Sequence, residues 1–517
     1  MLGADHLVRS LIAGGVELCL GNPGTSEMHF IAALDRNPGL RCVLTLFEGV
    51  ATGAADGYAR LAGKPAATLM HLGPGLANGL CNLHNARRAR VPLLNIVGEH
   101  AAHHRAYDAP LHSDVEAVAR PFSDWVRTAQ SAATLSHDCA AAIAAARTPP
   151  GRIATLILPA DTAWTEAGDA APTPLPPVPD PLRVDAARVE AAARTLRSGE
   201  PAALLIGGAA LLDRGLDLAH RIAAATGCRV IAPMSNARIT RGRGRPPVPR
   251  IPFAVDAACA FMGGLRHVVM VGAKPPVAFF AYPDKPSLLT PPGCALHPLA
   301  GIEEDALRAL ADLADALDAP AVPPPPDKPA PMAPDTGGRI TGPGLAALLA
   351  RRLPEDAVVI DEALSLGFAL YDGTHAAAPH DWLQMAGGAT GEGLPLAVGA
   401  ALARPDRKVV CLQADGSGLY TVQALWTLAR EGLDVTVLVL SNRAYATLTG
   451  ELAKVGARNP GPSALGMIRL DAPAIGWPDL ARGFGVPASR ATTPAEADAA
   501  IAAALATQGP ALVELVL

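Results

Sequence analysis

Short apolar runs alternate along this chain with longer segments rich in Ala and Leu. In the first third, Val16–Leu20, Cys42–Leu46, Ala66–Met70 and Leu93–Val97 have strand length, and the segments between them have helical length. Apolar runs that do not alternate with polar residues predict strands covered on both faces. Strands separated by helices predict crossover units and a parallel sheet. The last third repeats the pattern with Ala357–Ile360, Val409–Leu412, Val435–Leu440 and Ala511–Val516, and predicts a helix over Tyr420–Arg430. The middle carries Ala203–Ile206, Arg229–Ala232 and His267–Val271. The expected fold class is α/β, with three doubly wound parallel-sheet domains.

Proline supplies the punctuation. Ala171–Pro181 and Ala319–Pro331 are proline-rich, and runs with fixed φ and missing donors act as semi-rigid spacers. They divide the chain into 1–165, 186–317 and 340–517, in keeping with roughly three domains for 517 residues. Composition narrows the function. With 50% hydrophobic residues the chain can bury real cores, so global disorder is excluded. The net charge is −5 and the only basic patch is Arg241-Gly-Arg-Gly-Arg245, which argues against a nucleic-acid partner. The 8 cysteines are scattered without metal-ligand spacing and read as reduced thiols. The charge-free stretch Pro65–Ala86 is broken by Pro, Gly and Asn, so no membrane span is expected, and the amino terminus has no signal-peptide pattern. A cytoplasmic location follows as the expectation.

In open parallel sheets, ligands bind beyond the carboxyl ends of the strands, so the residues after each run are the candidates for chemistry. Val409–Leu412 leads into Gln413-Ala-Asp415-Gly-Ser-Gly418, and Val435–Leu440 leads into Ser441-Asn442-Arg-Ala-Tyr445. A carboxylate and an amide oxygen on one sheet edge, beside glycine amides, suit a hard divalent cation completed by phosphate oxygens. The same residues also suit an Asp-Gly turn and a polar strand exit. In the first third, Asn22-Pro-Gly-Thr25-Ser26, Glu48, His71 and Glu99-His100 follow the four runs. Glu48 opens the Ala/Gly-rich helix Val50–Arg60, where a carboxylate is poorly hydrated; it equally suits a helix start through the macrodipole.

The segment Leu46-Phe-Glu48-Gly-Val-Ala-Thr-Gly-Ala-Ala-Asp-Gly-Tyr-Ala-Arg60 resembles the catalytic-glutamate segment of thiamine diphosphate (ThDP) enzymes. Ala414-Asp-Gly-Ser417 through Ser441-Asn442 is similar to their metal and diphosphate motif, and Gly388–Pro395 and Ala424–Thr427 agree in order and spacing. The likeness covers nearly the whole chain and is greatest to the benzoylformate decarboxylase and acetolactate synthase branch. It implies a pyrimidine-binding domain, a middle domain and a diphosphate-binding domain. It also implies a homodimer or homotetramer whose active site lies at the subunit interface.

By this resemblance Glu48 contacts the aminopyrimidine nitrogen, Gly388 offers its carbonyl to the amino group, and Thr390 takes the place of an apolar wedge. Asp415, Asn442 and the Ala444 carbonyl bind Mg²⁺. Gly416, Ser417, Tyr445 and Ser365 complete the cofactor site. His71 shuttles protons, Thr25 meets the substrate carboxylate, and Thr447 and Leu448 line the pocket.

The implied activity is decarboxylation or carboligation of a 2-oxo acid, with or without an aldehyde acceptor, through an enamine. An acetolactate synthase-like enzyme and a silent ThDP-binding homologue are the alternatives. The weak glycine turn Ile206-Gly-Gly-Ala-Ala-Leu makes FAD unlikely on this reading. Ala414 and Ser441 depart from the family motif at positions that bind no metal. Thr390 is smaller than the usual wedge. Gly272–Tyr282 carries aromatics where a second catalytic histidine is found in benzoylformate decarboxylase. His103, His104 and His112 cluster in an expected loop, read either as solvated or as supplying one substitute for that histidine.

Overall fold

The computed structural model describes every residue except 324, 325, 327, 328, 330, 331, 333–337 and 458. The expected spacer Ala319–Pro331 therefore lies partly outside the described residues. The other spacer, Ala171–Pro181, carries neither helix nor strand.

Six strands build the first sheet: β1 (Leu18–Gly21), β2 (Arg41–Leu44), β3 (Ala66–His71), β4 (Leu93–Glu99), β5 (Trp125–Thr128) and β6 (Ile153–Pro159). The middle of the chain adds β7 (Ala202–Ile206), β8 (Arg229–Ile231), β9 (Ile239–Arg241), β10 (His267–Val271) and β11 (Ala295–Ala300). The last sheet contains β12 (Ala357–Glu362), β13 (His380–Gln384), β14 (Val409–Ala414), β15 (Val435–Ser441), β16 (Ala488–Ala491) and β17 (Ala511–Val516). The orders are β2-β1-β3-β4-β6-β5, β11-β10-β7-β8 and β16-β17-β15-β14-β12-β13-β9. All pairings are parallel except β9 with β13, which is antiparallel. The fold is thus three parallel-sheet α/β units, as the apolar runs predicted.

The runs match the strands to within a few residues. Strands without a predicted run have physical reasons for their absence. β5, β9, β11 and β16 are sheet-edge strands, and β5, β11 and β16 leave side chains partly exposed. β13 is wholly buried but polar, because His380, Asp381 and Gln384 find hydrogen-bond partners inside. β6 is the exception: it is apolar and fully buried, yet the predicted runs do not include it. The helix expected over Tyr420–Arg430 is a 3₁₀ turn, Leu419–Thr421, followed by a helix over Ala424–Glu431.

Strand order locates two crevices. In the first sheet the chain runs outward from β1 to β2 and then starts again on the other side at β3. The segments leaving β1 and β3 therefore diverge and open a crevice at that switch point. The last sheet has the same arrangement between β12 and β14. Helix Glu48–Ala62 of the first unit crosses helix Gly393–Ala403 of the last at glycines. A Cβ on Gly399 would lie 1.8 Å from the Ala54 carbonyl oxygen, and one on Gly57 would lie 2.2 Å from that of Leu396. Both helices are buried around their circumference at this crossing, which joins the two units through one apolar core.

Candidate active site

The first crevice collects polar groups from three segments. Phe47 is extended, and the chain turns into helix Glu48–Ala62 at Glu48, a residue only 5% exposed. Its carboxylate accepts hydrogen bonds from Asn22 Nδ2 at 3.2 Å and Asn78 Nδ2 at 3.0 Å. Asn22 follows β1, and Asn78 comes from helix Leu72–Ala89. A buried carboxylate held by two neutral amides keeps lone pairs for a further donor. His71 ends β3 beside the turn after β1, where Ser26 Oγ lies 3.0 Å from its Nδ1 and the Glu27 carboxylate oxygens lie 3.0 and 3.2 Å away. Thr25 is exposed, and among the described residues no hydrogen bond joins it to His71. The groups that meet the ring are its two neighbours, Ser26 and Glu27.

The second crevice is lined by the exits of β12, β14 and β15. Asp415 opens the short helix Asp415–Gly418; its Oδ1 accepts from Gly416 N at 2.9 Å and its Oδ2 from Arg443 N at 2.6 Å. Burial pushes the Asp415 carboxyl above the usual carboxylate range, opposed by these backbone donors. Asn442 Oδ1 accepts from Ala444 N at 3.0 Å, and Arg443 between them has φ +55°. The Asp415 bond to Arg443 N therefore binds the β14 exit to the β15 exit. Tyr445 lies over Gly416, where a Cβ would sit 2.5 Å from the ring. Ser417 Oγ accepts from Gln413 Nε2 at 2.8 Å and its O–H donates to the Ala414 carbonyl at 3.4 Å, which leaves the backbone N–H of this residue for an anion. Ser365 lies exposed in the turn after β12, and Thr447 and Leu448 are exposed on helix Ala446–Lys454.

The loop from Gly387 to Gly391 is held from the first unit. Asn85 Nδ2 donates to the Ala389 carbonyl at 2.8 Å and its Oδ1 accepts from Ala389 N at 3.1 Å. Asn82 Nδ2 donates to the Gly391 carbonyl at 3.3 Å, and Cys81 Sγ to that of Thr390 at 3.6 Å. Beneath the loop, the Glu362 carboxylate accepts from Gly391 N at 2.7 Å and Gly393 N at 2.5 Å, and burial pushes its carboxyl up. Gly388 has φ +75°, and a Cβ there would lie 2.7 Å from Phe279 Cζ. Phe279 belongs to the aromatic segment of the middle unit and packs on Phe253 and Phe280.

His103, His104 and His112 are exposed, as expected, and no group of three His, Cys, Asp or Glu among the described residues could hold a metal ion. Sequence reasoning missed Asn78, Asn82, Asn85, Glu27 and Glu362. All five lie near a recognised motif or on a segment beside it, but none carries a spacing of its own.

The donor set fits ThDP and a hard cation. Asp415, Asn442 and a backbone carbonyl are oxygen donors with too little charge to cage a divalent ion alone, so they suit one shared with a diphosphate. No hydrogen bond links Glu48 to Asp415 among the described residues.

Comparison with known proteins agrees. A profile described as "Thiamine pyrophosphate enzyme, N-terminal TPP binding domain" matches residues 1–119, and its "C-terminal TPP binding domain" counterpart matches 366–515. The Mycobacterium tuberculosis protein named "Putative acetolactate synthase large subunit IlvX" is 49% identical over 100% of this chain and 99% of its own length. Benzoylformate decarboxylase of Pseudomonas aeruginosa is 28% identical over 97% of this chain and 96% of its own. The structure of a Rhodococcus jostii ThDP-dependent 4-hydroxybenzoylformate decarboxylase superposes with a TM-score of 0.86 at 24% identity, covering 100% of this chain and 99% of that one. With its three α/β units and both crevices, the chain belongs to the thiamine pyrophosphate enzyme family.

Proposed function

We propose that this protein is a ThDP- and Mg²⁺-dependent decarboxylase or carboligase of a 2-oxo acid. The observation that carries this reading is Glu48, a buried carboxylate with two amide donors at a sheet switch point, in a chain that also presents the Asp415 and Asn442 oxygens. A protein that only stores the cofactor has no use for a desolvated carboxylate at that place. When bound, ThDP supplies a nucleophilic carbon and an electron sink for cleavage beside a 2-oxo group.

The roles of the side chains follow from their placement. Glu48 holds a proton at the pyrimidine nitrogen, and Asn22 and Asn78 keep its carboxylate aimed. Asp415, Asn442 and the Ala444 carbonyl hold Mg²⁺, while the amides at Gly416 and Ser417, with Tyr445 and Ser365, surround the diphosphate. The Gly388 carbonyl and Thr390 lie on the loop braced by Asn85 and Glu362 and face the pyrimidine side. His71 moves protons at the substrate. Thr25, Thr447 and Leu448 border the pocket.

The reading takes 1–165, 186–317 and 340–517 as domains, assigns no flavin to the middle one, and pairs two copies so that one chain's Glu48 completes the other's site. The exposed apolar residues Leu46, beside Glu48, and Tyr420 and Leu448, near the second crevice, support a covering partner. The free cysteines support a reducing, cytoplasmic setting.

An acetolactate synthase-like ligation is the second reading, favoured by the 49% identical relative. Purified protein with ThDP and Mg²⁺, offered a panel of 2-oxo acids with and without aldehyde acceptors, is expected to release CO₂ from at least one. Ligation of the fragment to a second 2-oxo acid, with no aldehyde acceptor present, selects the second reading. No CO₂ release from any acid rejects both.

A further inference from the structure

The turn after β1 holds a carboxylate that no motif announced. Glu27 is 1% exposed and accepts from Gly24 N at 2.7 Å and from the Ser26 hydroxyl. Its two oxygens also lie 3.2 and 3.0 Å from His71 Nδ1. Two glycines make the room. A Cβ on Gly98 of β4 would lie 1.6 Å from Glu27 Oε1, and a Cβ on Gly24 would lie 2.2 Å from His71 Cγ. The neighbouring carboxylates are otherwise engaged: Glu48 by Asn22 and Asn78, and Glu99 by the His100 N–H at 2.6 Å.

We propose that Glu27 is the positioning residue for His71 and fixes its neutral tautomer with the proton on Nδ1 and the lone pair on Nε2. An ionised carboxylate only accepts hydrogen bonds. A bare Nδ1 at 3.0 Å from it would set two lone pairs against each other. The Ser26 hydroxyl lies closer to Glu27 Oε1 than to Nδ1, so its single proton goes to the carboxylate, and its oxygen is a second acceptor for Nδ1–H. Gly24 N–H, Ser26 O–H and His71 Nδ1–H thus share the two carboxylate oxygens.

Among the described residues Nε2 makes no hydrogen bond, and the ring is partly open to solvent, with its side chain 21% exposed. Nε2 is the atom that takes a proton from water and returns it to the substrate carbon that has lost CO₂. The imidazolium formed in between stays paired with Glu27. The net change is one solvent proton in and one CO₂ out. A carboxylate that orients a histidine and stabilises its charged form is a known catalytic arrangement.

The catalytic consequence rests on the decarboxylase or carboligase reading; the tautomer does not. Histidine ¹⁵N NMR of the full chain, with His71→Ala for assignment, reads the tautomer directly. The wild type is expected to show His71 protonated on Nδ1. In Glu27→Gln the amide NH₂ faces Nδ1 and is expected to drive the proton to Nε2, while Glu27→Asp retains the original tautomer. An unchanged tautomer in Glu27→Gln overturns the proposal; if that variant does not fold, an Nε2 proton in Glu27→Asp or the wild type does so. With the best 2-oxo acid, Glu27→Gln is expected to lower kcat by about 100-fold with KM within about threefold, and to add nothing in a His71→Ala background. An equal loss in that background makes Glu27 merely structural and overturns the role. A wild type that turns over no 2-oxo acid rejects the functional reading and leaves the NMR result to decide the tautomer.

Discussion

Arg60 Nη2 donates to Glu392 Oε1 at 2.6 Å, with both side chains essentially excluded from solvent, and so ties the carboxyl end of helix Glu48–Ala62 to the residue before helix Gly393–Ala403. The same guanidinium binds Asp56 through two bonds and donates to the carbonyls of Gln384 and Ala237. One side chain therefore meets all three units. Burial pushes the Glu392 carboxyl well above the carboxylate range, opposed by Arg60.

Removing that cation leaves Asp56 and Glu392 buried without it. Arg60→Met is expected to lower stability by about 3–5 kcal/mol, seen as a lower urea midpoint. Adding Glu392→Leu to Arg60→Met is expected to recover part of the loss. An unchanged midpoint in the single variant would show that the pair carries no such cost.

The close crossing of the two helices makes its own demand. Gly399→Ala places a methyl carbon against the Ala54 carbonyl oxygen, which cannot swing aside. A destabilisation of about 1–3 kcal/mol is expected. Gly483→Ala, where nothing lies within 4 Å, is the control and is expected to stay within about 0.5 kcal/mol. Thermal melts of the two variants side by side decide.

Glu48→Gln keeps one acceptor oxygen and the shape of the side chain but loses the charge. Turnover of the best 2-oxo acid is expected to fall by about 100-fold or more, with the circular dichroism spectrum unchanged. Full activity in this variant would be incompatible with the proposed mechanism.

Asp415→Ala removes the only carboxylate of the proposed cation site. Calorimetric titration with ThDP is expected to show binding that needs Mg²⁺ in the wild type and is lost in the variant, with EDTA reproducing the loss in the wild type. Normal Mg²⁺-dependent binding by Asp415→Ala would refute the assignment.

His380 links stability to pH. Burial pushes its imidazole down to about 3, and the nearby Arg241 guanidinium acts in the same direction. The unfolded chain takes up a proton on this residue near pH 6.5. Between about 6.5 and 3 the unfolded state therefore binds the extra proton, and the stability contribution is lost as pH falls, by up to about 1.4 kcal/mol per pH unit. His380→Asn, which keeps a donor for the Ala378 carbonyl, is expected to flatten the slope of stability between pH 6.5 and 4.5. An unaltered slope would mean that His380 is charged in the fold.

Much of the candidate site was legible because it is local. Glu48, His71, Asp415 and Asn442 each follow an apolar run within three residues, and the strands deliver them to the carboxyl ends of the first and last sheets. Thr25 shows the limit. The turn after β1 is three residues of 3₁₀ helix, and which of Thr25, Ser26 and Glu27 turns inward depends on the space left by Gly98, on another strand. An acid in such a turn reads from sequence as an ordinary first-turn residue.

The sequence by itself determined the three α/β units, their approximate strands and the chemistry available at the strand ends, because burial on both faces forces continuous apolar runs and switch points follow from crossover topology. Only the tertiary structure decided which polar groups meet. Glu27 reaches His71 across 44 residues and Arg60 reaches Glu392 across 332. Such bonds form only when backbones approach within ångströms at particular glycines, and that closeness belongs to packing between elements, which no local pattern encodes.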